Sequence, residues 1–245
     1  MCCFSGKVTS VRSTRIFARL LPKRRQALVY SMHLDTPQDV AMILPIPIAA
    51  GAGDDAVKFH AFDGYPWFFT ALEALFHPKP DVIPTGIPGS LLKVVEVGAF
   101  NASFVPTVND FGRLDAQFRL PDAVWKKAGS YAKYGFAVFK LRKGKSEAHP
   151  MAFDFPTALE RQLFFPTVHI HDGEVHPRAE FDHILYAQPA RAGGLDSHVW
   201  QESAEFAESA VSVDKAKGLV DGTAHVYRRL MIGELKNEDV IVAAA

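Results

Sequence analysis

Gln26-Ala27-Leu28-Val29-Tyr30-Ser31-Met32-His33-Leu34 is the stretch that decides the fold class. Leu28, Tyr30, Met32 and Leu34 recur at period two, the repeat of a strand that buries one face. Just upstream, Val8 to Leu21 is rich in β-branched and aromatic residues, and Pro22-Lys23-Arg24-Arg25 breaks it. Strand, break and strand read as a hairpin with a basic tip.

The same character spreads outward. Val40-Ala41-Met42-Ile43-Leu44-Pro45-Ile46-Pro47-Ile48 is apolar at every position, as a buried strand is. Its prolines remove ladder donors and predict that its end lies at an edge or bulge. Val57 to Phe62, Leu91 to Phe104, Tyr134 to Leu141, Ala148 to Phe155, Phe164 to His171 and Glu180 to Gln188 are further strands. Val226 to Ile232 and Val240 to Val242 close the set.

Helices are few. Pro66 to Phe76 carries an apolar stripe of Phe68, Leu72, Leu75 and Phe76, with Pro66 at its start and Pro78 and Pro80 beyond its end. Pro78 to Pro88 reads as a connecting loop. Pro121 to Lys127 is a short helix candidate. A longer one falls between Ser197 and Lys217, with Glu202 and Glu205 early, Lys215 and Lys217 late, and Gly218 as the stop. The expected fold is α+β: a mainly antiparallel sheet, sandwich-like or barrel-like, with two or three helices, in one domain over residues 1–245.

Composition narrows the function. Lys plus Arg and Asp plus Glu are 27 each, so the chain lacks the positive field of a nucleic-acid binder. No apolar run reaches the roughly 18 residues of a membrane span. Met1-Cys2-Cys3-Phe4-Ser5-Gly6-Lys7 has no apolar signal-peptide core, so a cytoplasmic protein is expected. No Gly-x-Ser-x-Gly, His-Glu-x-x-His or Cys-x-x-Cys is present. Gly51-Ala52-Gly53-Asp54-Asp55-Ala56 fits a dinucleotide loop only loosely. A strand follows it where a helix is needed, and its aspartates would repel a pyrophosphate.

The chemistry-bearing stretch is His169-Ile170-His171-Asp172-Gly173-Glu174-Val175-His176. Asp-Gly between alternating residues signals a two-residue hairpin turn. In that register His171 faces Glu174 and His169 faces His176. Opposed residues share a face, so His169, His171, His176 and Glu174 would project together. Three imidazoles and a carboxylate suit a divalent transition metal such as Zn, Fe, Cu or Mn. The sequence thus predicts a metal-binding histidine cluster, with Glu174 as fourth ligand or general base and a small-molecule ligand as the partner. The competing reading of these residues is a solvated polar face. His183, beside Asp182, reads as a second-rank ligand or a structural pair.

Two alternatives stand beside it. Removal of Met1 would leave Cys2 as a terminal nucleophile with its own amine as base, the logic of N-terminal nucleophile hydrolases. Met1-Cys2 looks like the start of glutamine-amidotransferase-type members of that class, without their glycine-rich continuation. The other alternative is a non-catalytic β-rich binding or scaffold module.

The Leu44-Pro45-Ile46-Pro47 segment after the Leu28-Val29-Tyr30 strand, with Tyr134 to Lys140 and His149-Pro150-Met151 in order, resembles uncharacterised bacterial proteins of unknown function. That resemblance implies a bacterial source and no particular activity.

Overall fold

The computed structural model describes residues 2–77, 101–120, 129–170, 174–190 and 194–244. The founding hairpin forms as read. β2 (Ser10–Leu21) pairs antiparallel with β3 (Arg25–Thr36), and Leu21 registers with Arg25. Lys23 and Arg24 turn the chain with φ of 60° and 55°, the left-handed values that a tight reversal needs. β1 (Cys2–Phe4) precedes this pair, and β4 (Val40–Ile46), β5 (Lys58–His60) and α1 (Phe68–Ala74) follow it. Next come β6 (Asn101–Val105), β7 (Gly135–Leu141), β8 (Gly144–Pro156), β9 (Gln162–Phe165) and β10 (His169–Ile170). β11 (Arg178–Gln188), β12 (Gln201–Glu202), β13 (Tyr227–Lys236) and β14 (Val240–Ala243) complete the strands.

One sheet has the order β10-β1-β4-β7-β6, and another the order β12-β13-β11-β2-β3-β8-β5. β14 and β9 form a small third sheet. Pairing is antiparallel except at β1 with β10 and at β11 with β2. Among the described residues the protein is therefore β-rich with few helices, and no sheet closes into a barrel, which corrects the barrel-like option.

The two large sheets share a core. Leu28, Tyr30, Met32, Met151 and Phe153 from the seven-stranded sheet join Met42, Leu44, Ile46 and Phe139 from the five-stranded one. Ala27, Val29 and Phe17 face the other way, onto Phe62, Tyr65, Phe68 and Leu72 around α1. β3 is thus covered on both faces, which is why seven successive residues from Gln26 to Met32 are buried. β4 is buried throughout and lies inside the sheet, with its proline-bearing end paired to β7 alone. Its Pro45 is tolerated there because β1 registers only with Met42 and Ile43, short of the proline.

Two expectations of regular structure fail for a stated reason. The helix from Ser197 to Lys217 does not form beyond a short 3-10 turn at Ala207–Ser209. Its backbone is captured by the segment approaching β13: the N–H groups of Ser203, Ala207 and Glu208 donate to the carbonyls of Val226, Ala224 and Gly222. The other is the strand pairing of His169 with His176; the Asp172-Gly173 turn itself lies outside the described residues. β10 ends at Ile170 and pairs in parallel with β1, while β11 begins at Arg178 in the other sheet. The short helix at Pro121–Lys127 and the start of the Leu91–Phe104 strand lie outside the described residues.

Candidate functional site

A cleft of about 510 Å³ opens where β2 and β11 part company. Its origin is local. β2 and β11 pair from Arg15 with Ile184 to Arg19 with Gln188. Before Arg15, β2 bulges between Arg12 and Arg15, and Ser13 takes φ of 55°. The Ser13 N–H then donates to Asp182 Oδ2 at 2.6 Å instead of to a strand carbonyl. Burial alone would raise the Asp182 pKa, but the His183 imidazole and the backbone donors hold it below the usual carboxylate value.

Behind this split, His169 from β10 meets His183 from β11, with Nε2 to Nε2 at 3.1 Å. The His169 ring also stacks on Phe181, with centroids 4.4 Å apart. His183 is buried, and burial lowers its pKa, so the neutral imidazole is favoured. Its Nδ1 lies 3.6 Å from Asp182 Oδ1, too far for a hydrogen bond. Among the described residues, His183 Nδ1 and the buried Thr14 Oγ1 have no hydrogen-bond partner.

Asn237 fixes the chain around His169. Its Oδ1 accepts from the His169 N–H at 2.7 Å, and its Nδ2 donates to the carbonyls of His169 at 3.0 Å and His176 at 2.9 Å.

Of the sequence-predicted site residues, His169 and His176 line this cleft. His169 is half-buried in β10, while Glu174 and His176 are exposed in irregular chain. His171 lies outside the described residues. Cys2 sits in β1 with its Cα registered against His169, a neighbour no local pattern indicated. Cys3 is buried in the same strand. His183, a second-rank candidate from the sequence, proves to be the partner of His169. Asn237 and Thr14 gave no signal at all, since a lone Asn after a strand reads only as a turn residue.

By architecture, the chain belongs with β-rich proteins built from large, open, antiparallel-dominated sheets packed on one another. Among solved structures it is similar to baculovirus P35, at 13% identity and a TM-score of 0.57, over 99% of this chain and 99% of that one. A mutated baculovirus P35 after caspase cleavage is similar at 13% identity and a TM-score of 0.50, over 95% and 100% of the two chains. The caspase-8/P35 complex gives 13% identity and a TM-score of 0.44, over 95% and 96%. No protein-family model and no curated protein matches the chain. At this identity the likeness is one of fold.

These findings bear on three expectations. The metal-binding reading of His169, His171, His176 and Glu174 is overturned among the described residues: β10 pairs with β1, Glu174 and His176 lie in irregular chain, and His171 lies outside the described residues. Among the described residues, no group of three or more His, Cys, Asp or Glu side chains is placed to hold an ion. The solved structures that share the fold come from a baculovirus, not from a bacterium. The fold likeness lends no support to the expected small-molecule partner: the mutated P35 of the second structure is described after cleavage by a caspase, a protein. Among the described residues no helix is long and apolar enough to cross a membrane.

Proposed function

We propose that this chain is a non-catalytic β-rich binding protein whose partner is a protein, a protease of the caspase class. The observation that supports this reading is the fold likeness to P35 over nearly the whole of both chains. P35 after caspase cleavage shares the same fold at a TM-score of 0.50. A stiff scaffold of packed sheets suits this role, because it holds a recognition segment without collapsing when a protease engages it.

The test is direct. The purified chain is incubated with a panel of active caspases. The mixture is followed by intact mass, by size-exclusion chromatography and by residual activity on a fluorogenic peptide. The expected result is a single cut in the chain, co-elution with at least one caspase, and loss of that caspase's activity. A chain that is neither cut nor retained by any caspase overturns the proposal.

A further inference from the structure

The cleft between β2 and β11 has a feature that a simple surface depression lacks: it is bounded by two strand edges. Ser10, Val11 and Arg12 of β2 pair with Asp35, Leu34 and His33 of β3 on one side only. Arg178, Ala179, Glu180 and Phe181 of β11 pair with Lys236, Leu235, Glu234 and Gly233 of β13, again on one side only. Among the described residues, the other edge of each stretch carries no ladder and lines the cleft. The two edges converge on the Ser13–Asp182 hydrogen bond, so the opening is a slot closed at one end.

We infer that this slot accepts an extended, uncharged peptide segment of a partner protein, inserted as an extra strand between β2 and β11. An inserted strand would supply backbone donors and acceptors to both open edges, which is the general basis of strand addition. Running antiparallel to both neighbours would give it the more stable ladder geometry. Two further observations set the chemistry of the occupant. The rim carries Arg12 and Arg178 against Glu180 and Asp182, with two charges of each sign. Arg178 is already paired with Glu234, and Asp182 accepts from Ser13, so the rim favours a neutral segment. Independently, Thr14 Oγ1 and His183 Nδ1 are buried side-chain atoms without a hydrogen-bond partner at the closed end. Such atoms are costly to leave unsatisfied, and a polar atom on the leading residue of the segment would engage them. Phe181 and His169, stacked on each other, line the slot and suit small β-branched side chains beside them.

The experiment uses the full chain, isotopically labelled, with acetyl-Thr-Val-Thr-Val-Thr-amide as the probe. Acetyl-Thr-Val-Pro-Val-Thr-amide, which lacks a central donor, is the control. Saturable amide shifts are expected at Ser10–Arg12 and Ala179–Phe181, with slowed hydrogen exchange at the same amides. The proline peptide should bind about tenfold more weakly. No saturable shift at these positions with millimolar peptide overturns the inference, as does equal binding of the two peptides. Neither arm contains a caspase, so failure here is distinct from failure of the caspase proposal.

Discussion

His169 and His183 belong to different sheets and share one proton between their Nε2 atoms, 3.1 Å apart. One ring must donate and the other accept, so at least one must be neutral. The contact ties the outermost strand of the five-stranded sheet to β11 of the seven-stranded sheet.

That pair sets a pH dependence. Burial lowers the His183 pKa below its ordinary 6.5, with Asp182 opposing in part. Above about pH 6.5 this histidine is neutral in both folded and unfolded chains, and its full contribution is present. As pH falls below that value, the unfolded chain takes up the proton first, so stability drops until the folded pKa is passed. Urea midpoints at pH 7.5 and 5.5 should therefore differ, and His183→Phe should shrink the difference. An unchanged difference in the variant would exclude this residue as the source.

Asn237→Ala removes three hydrogen bonds to backbone groups of His169 and His176. Leaving such groups unsatisfied costs about 1–3 kcal/mol. Chemical denaturation should show a loss in that range, and hydrogen exchange at the His169 amide should accelerate relative to amides in β3.

Asp182→Ala should open the bulge of β2. The Ser13 N–H loses its acceptor while the residue keeps a φ that non-glycine residues rarely adopt. A cost of about 1–3 kcal/mol is expected, because the freed group is a charge-assisted donor site. Asp182→Asn retains an acceptor oxygen and should recover part of that loss. Equal stability of wild type and Asp182→Ala would show that the bulge is held by β3 alone.

Phe153→Ala tests the seam between the large sheets. Phe153 is fully buried, and its ring lies 5.7 Å from that of Phe139 on the opposing sheet. Truncating a buried phenylalanine costs about 3–5 kcal/mol. Phe206→Ala is the contrast: Phe206 is 49% exposed, so its truncation should change stability by less than about 1 kcal/mol. Thermal unfolding of the two variants should separate them clearly.

Local order in this protein was readable wherever a segment's partner lay next to it in sequence. Leu28, Tyr30, Met32 and Leu34 announced a strand, and Pro22 to Arg25 announced its turn, because hairpin pairing is decided within a few residues. The stripe of Phe68, Leu72 and Leu75 announced α1 for the same reason. The segments misread were those whose partner is remote. Alternation pairs His169 with His176 across an Asp-Gly turn, yet its strand pairs with Cys2, near the start of the chain. Residues 197–217 have helical spacing, but their N–H groups are taken by carbonyls near Val226. Side-chain alternation and charge order report what a segment can do alone. Which of two strands captures β10, and whether His169 finds a metal or His183, depends on long-range pairing, and only the tertiary structure decides that, because the free energy of closing those contacts is carried by residues that no local window contains.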